Sequence, residues 1–140
     1  MFVRPATPDE SLEVRRILDA AMLEPGDVEA RIEDGDVLVA GDRRDGSADD
    51  AAGTDRILGT VVLEPLPDER GAHVASIGVR RRHRDRGIGS ALIDRALERE
   101  RRLTARFDDG VRPFYERLGF AIEAIDDRRH RGVAVREDGD

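Results

Sequence analysis

The sequence predicts an α+β sandwich, a mixed central sheet of about six to seven strands flanked by about four helices. Two observations lead there. Helical and strand periodicities alternate only partly along the chain, in the order β-α-(α)-β-β-β-α-β-α-β-β. The 140 residues also suit one compact domain, 1–140, in which roughly 68–70% of the unfolded surface is buried.

Residues 2–5 (FVRP) make a short first strand. Thr7-Pro8-Asp9-Glu10 then forms a capping box, with threonine at the N-cap, proline at N1 and glutamate at N3. The helix that follows repeats Leu12, Val14, Ile17, Leu18, Ala21 and Met22 at helical spacing until Pro25-Gly26 stops it. Val28–Glu33 makes one more short helix, and Asp34-Gly35-Asp36 turns into a strand at 37–40. Residues 41–56 lack apolar periodicity and read as a loose hairpin loop. A strand resumes at 57–63, Pro65 and Pro67 end it, and a turn at 68–71 leads into the strand Ala72–Val79. A helix over 88–102 turns Ala91, Leu92, Ala96 and Leu97 inward and Asp94, Arg95, Glu98 and Arg99 to water. Residues 103–107 form a strand and 111–118 a short helix with Gly119 at its C-terminus; 120–125 is a strand that turns back into 131–135.

Composition narrows the function classes. Cysteine is absent, which removes disulfides, thiolate metal sites and cysteine nucleophiles, and no residue cluster calls for a metal. Charge is too frequent in every stretch for a bilayer span, and MFVRPATPDE lacks an apolar leader, so a cytoplasmic protein is the simple expectation. The net charge is -7, yet lysine, asparagine, glutamine and tryptophan are all missing and arginine carries the positive charge. This acid-rich, lysine-free surface resembles that of halophilic proteins from salt-loving archaea, where molar salt screens the repulsion. A GC-rich genome produces the same bias.

Against that background, VRRRHRDRGIGSAL at 79–92 stands out. Five arginines and a histidine crowd into positions 80–86 before Gly87-Ile88-Gly89, where a strand ends and a helix begins. The first amides of a helix lack partners and its dipole places about half a positive charge there, so a glycine turn at this point is an anion site. Most named motifs fail. A Walker loop needs a lysine, and the chain has none. His83-Arg84-Asp85 spells a kinase triplet without its downstream asparagine. A dinucleotide fingerprint wants glycine where Leu92 stands. A nucleic-acid patch would have few aromatics for stacking, and its affinity would vanish at molar salt.

Arg84-x-x-Gly87-x-Gly89 after Val79 resembles the acyl-CoA pyrophosphate loop of the GNAT superfamily of N-acetyltransferases. Arg4-Pro5-Ala6 is similar to the usual opening of these enzymes, and Phe114-Tyr115-Glu116-Arg117-Leu118-Gly119-Phe120 to their later F-Y-x-x-x-G-F segment. The resemblance implies the GNAT fold and transfer of an acetyl group from acetyl-CoA directly to a primary amine, small-molecule or peptide, without a metal. It implies that Arg84, Asp85, Arg86, Gly87, Ile88, Gly89 and Ser90 surround the CoA phosphates, with guanidinium groups forking onto phosphate. It places Ile77 and Val79 on a strand that splays from its neighbour so that pantetheine pairs with exposed backbone. Tyr115, the single tyrosine, matches the family's general acid. His73 occupies by position, not by residue type, the place of a catalytic glutamate, with Glu64 and Glu69 as rivals and a water chain as a further route. His83 and His130 read as solvated surface.

The chain also departs from the pattern. Asp108 and Val111 stand where the family often has asparagine and alanine, and an aspartate beside phosphate would be unfavourable. Pro113 sits early in its helix, tolerable only in the first turn. The acceptor groove is expected between the first two helices, the 41–56 loop and the last hairpin, where Arg128, Arg129 and Arg131 hint at an anionic acceptor. A CoA-binding sensor without catalysis is the rival class, nucleic-acid binding a third, and a homodimer is left open.

Overall fold

The computed structural model describes residues 1–20, 27–42, 56–67, 69–84 and 86–136. Its elements are β1 (Phe2–Pro5), α1 (Ser11–Ala20), α2 (Val28–Glu33), β2 (Val37–Asp42), β3 (Arg56–Pro65), β4 (Ala72–Val79), α3 (Ile88–Glu100), β5 (Arg102–Asp108), α4 (Arg112–Arg117), β6 (Ala121–Ala124) and β7 (Arg129–Val135). This is the order expected from periodicity. The apolar positions Ala21 and Met22, the Pro25-Gly26 stop, the interior of the 41–56 loop, the turn residue Asp68 and the loop residue Asp85 fall outside the described residues.

Among the described residues seven strands make one mixed sheet, in the order β1-β2-β3-β4-β5-β7-β6. Every neighbouring pair is antiparallel except β4 and β5, which α3 joins by a crossover. The continuous apolar run in β2 follows from cover on both faces. Leu38 and Ala40 enter one core with Leu92, Ile93 and Tyr115, while Val37 and Val39 enter the other with Val14, Ile17 and Val28. The sheet therefore lies between α1 and α2 on one side and α3 and α4 on the other.

Local chemistry explains the element ends. The Glu10 carboxylate accepts the Thr7 amide at 2.9 Å, as a capping box requires, and Arg4 forks onto the same carboxylate with two contacts of 2.8 Å. Leu12, expected inward, is exposed, because the buried stripe of α1 runs through Val14, Ile17 and Leu18. On α3 the buried stripe is Ile88, Leu92, Ile93 and Ala96, with Ala91 and Leu97 at its margins. A 3-10 turn at Asp109–Val111 precedes α4 and puts Pro113 in the first turn of the helix, where its missing N–H costs nothing.

One irregularity shapes the centre of the molecule. Val62 pairs with Ser76 and Leu63 with Val74, so Ala75 is an extra residue on β4. The bulge inverts the alternation of the strand. Val74 faces the α3 and α4 core before it; after it Ile77 and Val79 pack there, while a β-carbon on Gly78 would meet Ile17 and Leu18 of α1.

Candidate active site

The parallel pair that α3 creates is brief: β4 and β5 are in register only at Ala72–Leu103 and His73–Thr104. Beyond those pairs the strands part, and among the described residues β4 from Val74 to Val79 has no strand partner on its inner edge. Unpaired backbone groups on such an edge are open to an extended ligand. The splay leaves two adjoining cavities of about 540 Å3 and about 500 Å3, which share Ile77, Val111 and Phe114 along their walls.

The smaller cavity gathers most of the residues expected to hold the cofactor: Ile77, Val79, Arg84, Gly87, Ile88, Gly89 and Ser90. Gly87 has φ +82°, a conformation that favours glycine, and a β-carbon there would meet nothing within 4 Å. The first helical bond of α3 runs from the Ala91 amide to the Gly87 carbonyl at 2.9 Å, so the amides of Ile88, Gly89 and Ser90 have no helical acceptor. These features fit a phosphate group: an open cradle, orphan amides and the positive end of a helix. Arg84 lies across the cradle with its Nε donating to the Val79 carbonyl at 3.2 Å. Arg86 is exposed and lies off the cavity wall.

The arginine block divides in two. Arg80 turns away from the cavity, with its Nε donating to the Ile57 carbonyl at 2.8 Å and a terminal nitrogen on the Glu13 carboxylate. It ties α1 to the sheet. Arg81 and Arg82 are exposed on a 3-10 turn. Arg117, at the end of α4, carries no motif of its own in the sequence, yet it lines the same cavity as Arg84 and Gly87. Its signal was faint: a single basic residue two before Gly119. Asp108 lines the other cavity and a separate surface depression but not this one, so its carboxylate does not confront the glycine turn.

Tyr115 forms the floor of the larger cavity and is 4% exposed. Its ring stacks on Phe107 with centroids 4.2 Å apart, and Phe114 and Phe120 meet it edge-on at 5.0 and 5.1 Å. The apolar cage is both packing and chemistry: burial pushes the phenol up to about 12, so it keeps its proton. No hydrogen bond engages the hydroxyl among the described residues.

His73 sits elsewhere. It faces away from the Tyr115 core, and its Nδ1 is 2.7 Å from the Thr104 hydroxyl. It lines a third cavity, of about 880 Å3, together with Glu64 and Glu69, so the three candidate bases share one wall. Both carboxylates are engaged, Glu64 by Arg31 at 3.1 Å and Glu69 by Arg102 at 3.3 Å. Burial and then the Arg106 charge lower the His73 pKa, with Glu64 opposing, so the imidazole is neutral at pH 7. Arg106 lines both this cavity and that of Tyr115.

Of the two histidines expected at the surface, one is corrected and the other stays there, partly covered. His130 is 5% exposed: its Nε2 meets Asp109 at 2.9 Å and its ring lies 5.9 Å from Phe107. Antiparallel pairing with Phe107 carries it inward. His83 is half-buried on the wall of the phosphate cavity, 3.3 Å from Arg56. Of the arginines in the last hairpin, Arg129 lines the Tyr115 cavity and Arg131 pairs with Glu123 at 3.1 Å, whereas Arg128 borders a separate depression among Asp108, Asp109 and Asp126.

The site is thus a parallel pair that splays after two registered residues, with the glycine turn of α3 at one end of the opening and a buried phenol at the other. Residues 13–120 match the model of the acetyltransferase (GNAT) family. The chain belongs to that family and is an acetyltransferase of the GNAT type. Solved structures of the same fold include Ard1 from Thermoplasma volcanium, at 20% identity and TM-score 0.71, covering 98% of each chain. Rv2747 from Mycobacterium tuberculosis, in complex with CoA and NLQ, is 16% identical with TM-score 0.74, covering 98% of this chain and 100% of that one. The ribosomal-protein-alanine N-acetyltransferase from Brucella melitensis is 19% identical with TM-score 0.66, covering 97% and 100%. No curated protein matches the sequence. No helix among the described residues is long and apolar enough to cross a membrane.

Proposed function

We propose that the chain works as a single catalytic domain that moves an acetyl group from acetyl-CoA to a primary amine by direct attack in a ternary complex. The observation that carries this reading is the continuity of the cleft, from the α3 N-terminus along the free edge of β4 to Tyr115. Acetyl-CoA supplies an activated acyl group as its thioester. The amides of Gly87 to Ser90, with Arg84 and Arg117, hold its phosphates, and the edge of Ile77 to Val79 takes the extended pantetheine arm.

In the transfer, the amine nitrogen forms a bond to the acetyl carbon, the carbon–sulfur bond breaks, the nitrogen loses a proton and the sulfur gains one. Tyr115 offers the proton for sulfur. A phenol near 12 facing a thiol near 8.5 makes complete transfer uphill by roughly 5 kcal/mol in aqueous reference terms. Burial raises the thiol pKa in the same cavity and narrows that gap. Tyr115 therefore acts chiefly by hydrogen bonding to the developing thiolate. His73, neutral and one cavity away beside Arg106, accepts the amine proton through water.

Calorimetric titration of acetyl-CoA in high potassium chloride, followed by CoA release with a panel of amines, tests the proposal. Micromolar binding with amine-dependent release supports it. Binding without release from any amine would identify a CoA sensor instead.

A further inference from the structure

The acceptor side of the cleft carries charges that acetyl transfer alone does not require. Arg106 and Arg129 line the Tyr115 cavity, and neither guanidinium is ion-paired among the described residues. This is notable in an acid-rich chain where Arg4, Arg31, Arg80, Arg102 and Arg131 have all found carboxylates. Asp108 lines the same cavity and pairs with neither.

Strand register explains their common side. In β5, Leu103, Ala105 and Phe107 are buried in the core of Tyr115, so Thr104, Arg106 and Asp108 point to the opposite face. Arg129 lies directly across from Asp108 in the antiparallel β5–β7 pair and shares that face. Because the sheet is open between β4 and β5, the cavity joins the two faces. One wall is the aromatic cage around Tyr115; the other holds two cations and one anion.

Resting on the amine-acetylation reading above, we propose that the acceptor is a small zwitterionic amine whose carboxylate or phosphonate-like group is held by Arg106 and Arg129. Planar guanidinium groups suit such an anion because each offers paired donors. Asp108 attracts the ammonium end before it gives up its proton. The cavity, about 540 Å3, is of small-molecule size. A protein N-terminus brings no backbone carboxylate to the point of attack, so it leaves both guanidinium groups without a partner.

The test measures CoA release at saturating acetyl-CoA with glycine, β-alanine, glutamate and 2-aminoethylphosphonate. Glycinamide, β-alaninamide and a short peptide amide serve as neutral counterparts. An amino amide has the less basic amine, so a preference for the acid cannot come from a larger supply of neutral nitrogen. At least one zwitterion is expected to exceed its neutral counterparts in kcat/KM by about tenfold to a hundredfold, the range of one charge-assisted contact. In Arg106→Gln and in Arg129→Gln that ratio falls toward one, whereas the lysine variants retain part of it. Equal or better use of the neutral amines overturns the proposal, as does a preference that both glutamine variants keep.

Calorimetry of the same amines against the CoA-loaded protein separates the two levels. If no amine is acetylated but zwitterion binding disappears in Arg106→Gln, the anion site stands and the acetylation reading fails. If no amine is acetylated and no zwitterion binds, the anion site falls as well.

Discussion

The ring of Phe114 rests against the backbone of Gly89, so closely that a β-carbon at Gly89 would lie 3.1 Å from its edge. Phe114 also lines both halves of the cleft. Gly89→Ala is therefore expected to push the ring into the groove, weakening acetyl-CoA binding and costing about 1–3 kcal/mol of stability by overpacking. Gly87→Ala has ample space but an unfavourable φ, and should cost about 1–2 kcal/mol through backbone strain. Calorimetry beside thermal melts distinguishes them. Gly89→Trp carries the crowding further and should abolish binding in a protein still folded by circular dichroism.

Tyr115→Phe keeps the stacked ring and removes a hydroxyl that no described residue binds. Stability should change by less than about 0.5 kcal/mol. The kcat should fall by about 10²-fold or more, with acetyl-CoA affinity retained. Since burial holds the phenol near 12, the wild type should show no Tyr115 ionisation limb below about pH 11. An unchanged kcat in the variant would remove Tyr115 from the chemistry.

His73 and Glu10 divide the acid range between them. The folded His73 pKa lies below its ordinary 6.5, so as pH falls the unfolded chain takes up the proton first. Stability then declines from about pH 6.5 down to the folded pKa and levels off beneath it. His73→Gln should flatten that portion of a Tm-against-pH curve, and it should remove an acidic limb of kcat placed below 6.5. Glu10 behaves as a carboxylate held below its ordinary 4.5, first by its hydrogen bond to Arg4. Its contribution is complete above 4.5 and is lost as pH falls through the folded value.

Arg80 and Arg84 stand four residues apart in one basic run and are expected to fail differently. Arg80→Ala breaks the contacts to Ile57 and Glu13 and should lower stability by about 1–2 kcal/mol, leaving acetyl-CoA affinity near that of the wild type. Arg84→Ala should lower affinity by about tenfold or more with little change in Tm. If both variants bind equally well, Arg84 does not contact the phosphates.

Much of this site was readable before any coordinates. Gly87 and Gly89 sat between a strand and a helical repeat, and Tyr115 lay in a segment resembling a known one; both are local signals, carried by neighbours in sequence. Arg106 and Arg117 escaped notice because their meaning depends on what faces them across a gap. His130 escaped for a related reason: a histidine among arginines and aspartates reads as surface until strand pairing with Phe107 turns it inward.

The sequence by itself determined the order of elements, the glycine turn at the start of α3 and the membership of Tyr115 in a short aromatic helix, since periodicity, glycine placement and capping act over a few residues. Only the tertiary structure decided which side chains share a cavity. Strict alternation along β4 would set His73 on the same face as Ile77 and Val79; the extra residue Ala75 divides them, leaving His73 on the face of Arg106 and the other two in the cleft. A bulge leaves little mark on composition, because it is fixed by how two strands pair rather than by either one alone.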